Sequence, residues 1–382
     1  MTPFRLARVS IRLLAALAMF HGAARGDTIT VLTPGGTAAL KQAQVMDGDL
    51  WVTPEELKQA IRFELKPEGA CCGGVCIPID RSPAAGFVRQ ADGTTLFNLS
   101  KLARTLREPV VAETEQGVFS FGEVPAVRAA DAASGAAPDF ALPDRSGKIV
   151  HLSDSRGKKV FLVTWASWCG CKLDLAGWQT LYEELRDKNF HIIAVAEDTA
   201  GEAAAGEWYD KAKATYTTLI DRDHVVSSLY HMVNVPTGVW IDEQGQIVRP
   251  GEVAYSRDVA LMSIKVNGSD YVAGLRDWVA HGAKSKYVLQ PEQMREKLAG
   301  RSADETLADA HFKLATYFQE HDEPALADKH FKEAQQLNPD SWNYHRQQWS
   351  YTPKEALGNW LTKVRGLGDK PYYAPLALPA KD

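Results

Sequence analysis

All five cysteines of this chain lie in two tight clusters, one at positions 71, 72 and 76 and the other at positions 169 and 171. Cysteines that act as structural cross-links are commonly spread along an exported chain. The cysteines of this chain could close a large loop only if one cluster were joined to the other. Thiol groups gathered at two places are more typical of redox or metal chemistry. The two clusters are therefore the first candidates for a functional site.

Cys169 lies in the stretch "FLVTWASWCGCK", at the junction between an apolar run and an amphipathic helical pattern. The first N–H groups of a helix and the positive end of its dipole stabilise an anion, so a thiol at such a junction ionises readily. The thiolate is the attacking group in disulfide exchange and in peroxide reduction. Trp165 and Trp168 are predicted to cover it with apolar surface. The pattern predicts that Cys169 is a reactive nucleophile.

Only Gly170 separates Cys169 from Cys171, and this spacing leaves the role of the second thiol open. Residues two apart on a regular helix point to nearly opposite sides, so a bridge requires Gly170 to leave helical geometry, which glycine does at least cost. In the alternative, Cys169 works alone through a sulfenic acid or a mixed disulfide that Cys171 or the distal cluster resolves. A decayed, inactive centre is disfavoured because both thiols are present at the junction.

The cluster of Cys71, Cys72 and Cys76 lies in the glycine-rich stretch "EGACCGGVC". No histidine is nearby and the paired C-x-x-C spacing of a zinc site is missing, although three thiolates could hold a soft ion such as Cu(I). We favour a structural or redox disulfide from Cys71 or Cys72 to Cys76, with one thiol left free. A further hypothesis is that this loop exchanges electrons with Cys169. We predict no resident metal and no cofactor.

The composition is that of a globular protein, with 45% hydrophobic and 24% charged residues. A net charge of −5 argues against a nucleic-acid-binding protein, which normally has a basic surface. Residues 1–26 combine arginines at positions 5, 8 and 12 with a short apolar run and small residues, the pattern of a secretory signal peptide. The run is too short for a stable membrane span. We expect export to the periplasm, with secretion or an uncleaved anchor as alternatives.

The chain is long enough for two or three domains, and its patterns divide it into distinct units. Residues 27–122 predict a small α+β domain with two similar strand–helix segments, whose helices we expect to be capped by Thr53 and Ser100. Residues 123–137 are rich in small residues and predict a flexible linker. Residues 138–285 alternate buried-strand and helix patterns and predict a three-layer α/β domain.

Residues 300–367 predict a helical region related to a tetratricopeptide repeat. The small and aromatic positions of this repeat are filled by Leu314, Ala315, Phe318, Ala327, Phe331, Ala334 and Pro339. One repeat cannot bury its own face, so either a helix within residues 342–367 covers it or the unit packs on the α/β domain. Its groove offers a site for a protein partner, and a purely structural role is equally open. Residues 368–382 are proline-rich and predict an extended tail.

Asp174 is a further candidate of the redox centre. It lies four residues before Trp178 and shares the helix face that also carries Leu181. A carboxyl group on a buried face has a raised pKa and can accept the proton of a resolving thiol. In the alternative, Asp174 is an acid that the helix dipole favours in the first turn.

The segments "APDFALPDRSGKIVHLSDSRGKKVFLVTWASWCGCK" and "VPTGVWIDEQG" resemble the thioredoxin-like redoxins of the TlpA/ResA type and their AhpC/TSA peroxiredoxin relatives. The resemblance covers residues 137–255 and rests on the "APDF" entry, the "WASWC" strand end and the "VPT" segment. It implies a thioredoxin-like fold for residues 138–285. The sequence departs from the family in its cysteine spacing, since relatives read Cys-x-Pro-Cys or similar, and Ala176 replaces a proline that relatives often carry.

The roles of several residues follow from this resemblance. Cys169 matches the attacking, more exposed cysteine, and Trp168 before it is assigned to the substrate-binding side. Pro236 matches the family's cis-proline, and the preceding Val235 is expected to lie beside the cysteines and to pair with an extended substrate. Asp174 matches the position of an acidic residue that many relatives carry after the motif.

These observations favour an exported thiol–disulfide oxidoreductase that acts on protein thiols and disulfides, with Cys169 attacking, Cys171 resolving and Asp174 accepting a proton. The rival among enzymes is a peroxiredoxin-like peroxidase, in which a hydroperoxide oxidises Cys169. The rival outside enzymes is a non-catalytic module that handles metal through the first cysteine cluster or scaffolds a partner through the repeat.

Overall fold

The computed structural model describes residues 28–379, except residues 73, 74, 92, 263, 299 and 377. The predicted signal segment, residues 1–26, lies outside the described residues. The N-terminal unit consists of short strands and two helices: β1 (Ile29–Thr33), β2 (Gly36–Leu40), β3 (Gln44–Met46), β4 (Asp49–Val52), α1 (Pro54–Ile61), β5 (Glu64–Lys66), β6 (Gly69–Cys72), β7 (Val75–Ile77), β8 (Val88–Ala91), β9 (Thr94–Asn98), α2 (Leu99–Leu106), β10 (Val110–Glu113) and β11 (Val118–Phe121). The strands form small sheets of order β10-β11-β1-β2, β3-β4-β9-β8 and β5-β6-β7.

The helix starts of this unit agree with the sequence prediction at one position and not at the other. Thr53 caps α1, because its side chain accepts the Glu56 N–H and Glu56 reaches back to the Thr53 backbone. The predicted cap at Ser100 is wrong. Asn98 caps α2 by accepting the Lys101 N–H at 2.7 Å. The helix therefore begins earlier in the chain than a cap at Ser100 would allow. The Ser100 hydroxyl instead accepts the backbone N–H of Leu50 at 2.9 Å.

The segment predicted as a flexible linker is not irregular, because it contains helix α3 (Pro125–Ser134). A proline in the first turn is compatible with a helix start, and the alanines that follow have the highest helix propensity. Gly135 ends the helix with a positive φ of 68°. The abundance of small residues, which suggested a linker, here supports a helix with no fully buried side chain.

The central domain is a mixed sheet with helices on both faces. Its strands have the order β16-β15-β14-β17-β18, with β14 parallel to β15 and antiparallel to β17. The elements are β12 (Ala141–Pro143), β13 (Ile149–His151), β14 (Lys159–Trp165), α4 (Leu175–Leu185), β15 (Phe190–Ala196), α5 (Glu202–Ala212), β16 (Thr217–Ile220), α6 (Val225–Leu229), β17 (Thr237–Ile241), β18 (Ile247–Val253), β19 (Val259–Leu261), β20 (Ile264–Val266) and α7 (Gly268–His281). This topology confirms the predicted thioredoxin-like α/β fold.

The strand that leads to the cysteines lies at the centre of this sheet. Every residue of β14 is buried, as the continuous apolar run predicted. Phe161 packs on one face against Trp178 of α4, with ring centroids 4.9 Å apart, while Leu162 belongs to the core on the other face. Because side chains pack against both faces of β14, the residues that follow this strand begin from a fixed position in the domain.

The C-terminal region is helical. It contains α8 (Pro291–Lys297), α9 (Ala303–Glu320), α10 (Pro324–Leu337), α11 (Trp342–Ser350) and α12 (Pro353–Arg365). The positions that suggested a tetratricopeptide repeat are buried between α9 and α10, apart from the exposed Pro339. The helices are compatible with that repeat, which stays a prediction. Helix α9 packs on the N-terminal sheet through Leu32 and Val118, whereas α11 lies on the central domain, where the Asn343 N–H donates to the Val233 carbonyl at 3.1 Å.

Two histidines lie where the C-terminal helices meet the N-terminal sheet. The Nδ1 atoms of His311 on α9 and His330 on α10 are 2.9 Å apart. The Nε2 atom of His330 is 3.1 Å from a carboxylate oxygen of Glu113 on β10. Burial, together with the neighbouring His311, lowers the pKa of His330 to about 4, and burial also lowers the pKa of His311. The folded protein therefore favours the neutral form of both rings.

We expect this histidine pair to make the protein less stable as the pH falls from 6.5 towards about 4. In that range the unfolded chain takes up protons on both rings and the folded chain resists them, so the free energy of unfolding decreases as the pH falls. Urea unfolding midpoints measured at about pH 7.5 and about pH 5 should differ less in the double variant His311→Gln, His330→Gln than in the wild type. The exposed His151→Gln is the control, and equal pH dependence in wild type and double variant would contradict this expectation.

Candidate active site

The two cysteines that follow β14 are joined by a disulfide bond. Cys169 has extended backbone angles and precedes a 3-10 turn, Gly170–Asp174, that leads directly into α4. The Cα atoms of Cys169 and Cys171 are 5.1 Å apart, within the usual range for a disulfide. A bridge between two cysteines with one residue between them is possible here because the chain is extended at Cys169 and forms a 3-10 turn after it. The departure from α-helical geometry therefore includes Cys169 and the turn, and is not confined to Gly170. The Cys171 N–H lies 3.1 Å from Cys169 Sγ, where it would stabilise a thiolate.

The loop before Cys169 is held by a carboxylate from the neighbouring strand. Asp198, just beyond β15, accepts the backbone N–H of Ser167 at 2.8 Å and its hydroxyl at 2.7 Å. Lys172 donates to the Ser167 carbonyl at 2.8 Å. Burial raises the pKa of Asp198, and the two bonds from Ser167 act in the opposite direction. Asp198 was not among the site residues predicted from the sequence, although an acid directly after a buried strand, at the edge of the sheet that carries the cysteines, is a signal that indicates such a role.

Asp174 is buried at the end of the 3-10 turn, with 1% of its surface exposed. Its Oδ1 atom accepts the backbone N–H of Ser256 at 2.9 Å and the hydroxyl of Ser256 at 2.7 Å. Its Oδ2 atom has no hydrogen-bond partner among the described residues. Burial raises the pKa of Asp174, although Ser256 and Arg257 lower it in part.

The 3-10 turn also decides how Asp174 is placed relative to the second cysteine. Residues three apart on a 3-10 turn lie on the same side of it. Cys171 and Asp174 are three apart within this turn, and both are buried. Asp174 thus combines a raised pKa with an oxygen that has no partner among the described residues, and its role as proton acceptor for Cys171 stays a prediction.

The segment before β17 lies across from the cysteines. The Val235–Pro236 peptide bond is cis, as the family resemblance implied. The Val235 carbonyl oxygen is 3.6 Å from Cys169 Sγ. A backbone acceptor thus lies directly beside the sulfur atom at which exchange would occur.

Trp168 and Trp165 were both expected to cover Cys169, and the structure separates their roles. Trp168 is half-buried and donates through Nε1 to Gln347 Oε1 of α11 at 3.3 Å. The guanidinium carbon of Arg346 lies 4.6 Å from the Trp168 ring centroid. Trp165 is buried within the core, where its Nε1 donates to the Tyr209 hydroxyl at 2.9 Å. Only Trp168 therefore belongs to the outer side of the site.

The expectation that Cys169 is the more exposed cysteine stays a prediction, because both cysteines are buried. Cys169 and Cys171 have 2% and 1% of their surface exposed. The reason is that α11 and the segment after α12 cover the site, with the Tyr373 hydroxyl donating to the Val235 carbonyl at 3.0 Å. Sequence reasoning missed Gln347, Arg346 and Tyr373 because the helical patterns indicate which face is buried and not which surface that face meets.

The first cysteine cluster forms a second, local disulfide. Cys71 and Cys76 are opposite each other on β6 and β7 and are bridged, so the preference for a disulfide is confirmed for this pair. Cys72 is the free cysteine, and burial raises the pKa of its thiol. One carboxylate oxygen of Glu68 lies within 4.8 Å of both bridged sulfur atoms, which as a disulfide offer no thiolate ligand. Neither bridge joins the two clusters, and exchange between them stays a hypothesis.

The fold and the bridged cysteines define a thioredoxin-fold redox domain, and comparisons with known proteins agree. The AhpC/TSA family model matches residues 134–249. The thiol-disulfide oxidoreductase ResA of Oceanobacillus iheyensis is 36% identical over 117 residues, 29% of this chain and 60% of that protein. The ResA protein of Geobacillus kaustophilus is 32% identical over 123 residues, 31% of this chain and 69% of that protein. The chain belongs to the thioredoxin-like redoxin family that includes these ResA proteins.

The similarity is confined to part of each molecule. The chain spans less than two thirds of the length of the Oceanobacillus protein. A solved structure of a DsbE-type thiol:disulfide interchange protein from Chlorobium tepidum is 33% identical, with a TM-score of 0.29, over 30% of this chain and 83% of that one. Within the part of this chain that the structure describes, no helix has the length and apolar character needed to cross a membrane.

Proposed function

We propose that this protein is an exported thiol–disulfide oxidoreductase that exchanges its Cys169–Cys171 pair with cysteines of other proteins. The observation that carries the proposal is the bridged pair at the start of a helix, with the Cys171 N–H 3.1 Å from Cys169 Sγ. The family relationship supports the same type of chemistry. Export is supported by the signal pattern of residues 1–26 and by the Cys71–Cys76 bridge, since disulfides persist mainly in oxidising compartments.

In the reductive direction, the Cys169 thiolate attacks one sulfur of a substrate disulfide. A bond forms between Cys169 Sγ and that sulfur, and the other substrate sulfur leaves as a thiolate. Cys171 then gives its proton to Asp174 and attacks Cys169 Sγ, which forms the Cys169–Cys171 bond and releases the second substrate thiolate. The substrate gains two electrons and the enzyme loses two, so an external thiol reductant must restore the reduced pair.

Insulin reduction tests this function. The wild-type protein with dithiothreitol as terminal reductant should speed the precipitation of insulin chains above the rate with dithiothreitol alone, and Cys169→Ser should not. The proposal would be contradicted if neither the full-length protein nor a variant without residues 371–382 speeds insulin precipitation above the rate with dithiothreitol alone. Rapid consumption of hydrogen peroxide by reduced protein that leaves insulin intact would instead support the peroxidase alternative. Partner binding through α9 and α10 stays a prediction.

Asp174→Asn should slow the resolving step by about 100-fold at neutral pH, because general-base assistance is typically worth that much or more. The step is observed by loading Cys169 with one thionitrobenzoate group and following its release as Cys171 attacks. In the wild type the rate should fall as the pH drops through the raised pKa of Asp174, since the protonated carboxyl cannot accept a proton. The variant should lack this acid limb.

The exposed Asp187→Asn, just after α4, is the matched control and should keep the wild-type rate and pH profile. If Asp174→Asn leaves the profile unchanged, Asp174 is an acid of the helix start and not a proton acceptor. The Asp174→Asn protein should also have the wild-type unfolding midpoint, because a slower rate is then not a consequence of misfolding.

A further inference from the structure

A described segment that follows α12 lies across the redox centre. Residues 371–376, here called the tail segment, follow α12 without regular secondary structure. The Tyr373 hydroxyl donates to the Val235 carbonyl oxygen at 3.0 Å, and that oxygen is 3.6 Å from Cys169 Sγ. A side chain of the tail segment therefore holds the backbone acceptor beside the disulfide.

Aromatic and polar contacts fix the tail segment in this position. The hydroxyl groups of Tyr255 and Tyr373 are 3.0 Å apart, and their rings meet edge to face. The ring centroid of Tyr372 lies 4.3 Å from that of Trp342 on α11. The Tyr372 hydroxyl also accepts a hydrogen bond from Arg346 Nη1 at 3.1 Å. The two adjacent tyrosines thus fill an aromatic groove formed by the central domain and α11.

Arg346 links this groove to the cysteines. Its guanidinium carbon lies over the Trp168 ring at 4.6 Å, so one side chain contacts both the tail segment and the residue before Cys169. A cavity of about 880 Å³ borders the tail segment and is lined there by Tyr372, Tyr373 and Asn234. The tail segment thus has open space beside it, while its Tyr372 side chain is part of the central hydrophobic core.

We propose that the tail segment is an internal ligand of the substrate groove and that an extended segment of a protein substrate must displace it. The inference rests on the proposed function. Attack on a substrate disulfide requires the substrate sulfur to reach Cys169 Sγ, and with 2% of its surface exposed Cys169 is closed to a protein in this arrangement. When the tail segment leaves, the Val235 carbonyl and the aromatic groove become free together.

The groove also indicates the chemistry of the substrate. The free Val235 carbonyl accepts a backbone N–H, as an exposed extended edge does when a peptide strand is added to it. Trp168, Trp342 and Tyr255 offer aromatic surface, and the tail segment places two tyrosines there. The preferred substrate is therefore an extended protein segment with an aromatic side chain close to its cysteine.

Access to Cys169 is measured by the rate at which iodoacetamide labels it in fully reduced protein, with the labelled peptide quantified by mass spectrometry. A variant that ends at Lys370 should label at least about tenfold faster than the full chain, because only the open fraction of the full chain reacts. Tyr373→Phe, which keeps the ring and removes the hydrogen bond to Val235, should label about fivefold faster. The matched control is Tyr182→Phe on α4, which should label at the wild-type rate.

A peptide of sequence GDKPYYAPLALP, which corresponds to residues 368–379, should slow the labelling of the truncated variant in a saturable way. The same peptide with both tyrosines replaced by alanine should not. Equal labelling of full and truncated chains with matching unfolding midpoints would overturn the proposal. If the truncated chain does not fold, an unchanged rate in the folded Tyr373→Phe variant overturns it.

The labelling experiment separates this inference from the proposed function, because alkylation reports access and not exchange. Faster labelling in a truncated chain that reduces no insulin would uphold the role of the tail segment and contradict the proposed function. Equal insulin reduction and equal labelling with and without the tail segment would uphold the function and overturn the tail proposal.

Discussion

Replacing Cys169 by serine is expected to lower the rate of insulin reduction by at least about 100-fold, because the attacking thiolate is lost and a hydroxyl does not ionise at neutral pH. Cys171→Ser should behave differently. It keeps the attacking thiolate but lacks the group that releases the substrate, so a mixed disulfide between Cys169 and the substrate should accumulate. Non-reducing electrophoresis with mass spectrometry of the linked peptides measures this product.

Cys72→Ser is the matched control for both variants, since Cys72 is the free cysteine outside the redox centre. It should retain the wild-type rate and trap no substrate. Substrate trapped on Cys72 or Cys76 when Cys171 is replaced would contradict the assignment of Cys169 as the attacking group. It would favour the hypothesis that the first cluster takes part in electron exchange.

Trp240→Ala should lower the free energy of unfolding of the central domain by about 3–5 kcal/mol, the usual cost of removing a large buried aromatic side chain. Trp240 on β17 is fully buried and stacks on Trp278, with ring centroids 5.2 Å apart. Its Nε1 donates to the Tyr271 hydroxyl at 2.9 Å, which would lose this partner within the core. Equilibrium unfolding in urea, followed by near-ultraviolet circular dichroism, measures the loss.

Trp208→Ala provides the comparison for this prediction. Trp208 on α5 is half-buried and lies under the amino groups of Lys172 and Lys211, each 4.1 Å from its ring. Its removal should lower the free energy of unfolding by less than about 1.5 kcal/mol. If both variants lose the same free energy of unfolding, the burial of Trp240 on β17 does not account for its contribution to stability.

The sequence was sufficient to predict the central strand and the position of Cys169, because a fully buried strand leaves a continuous apolar run and the helix after it leaves a periodic one. The cis bond before Pro236 came from family resemblance, since both isomers of an X–Pro bond are compatible with the same residues. The cap of α2 was misplaced because Asn98 and Ser100 are both good caps. The choice between them depends on strand β9, which ends at Asn98.

The cover over the cysteines could not be predicted in the same way. Tyr373 and Val235 are 138 positions apart, and Gln347 and Trp168 are 179 apart. Hydrophobic periodicity reports that a face is buried, and it contains no information on which distant face it meets. Contacts of this kind are set by the docking of whole units, so they became visible only in the folded chain.

The two disulfides close only very short loops, with sequence separations of 5 and 2. A cross-link stabilises a fold mainly by restricting the unfolded chain, and this restriction grows with the length of the loop that it closes. Opening either bond therefore gives the unfolded chain less additional freedom than opening a long loop would. The scaffold then loses only about 2 kcal/mol for each bond that opens, which would allow the cysteines to cycle while the scaffold stays folded.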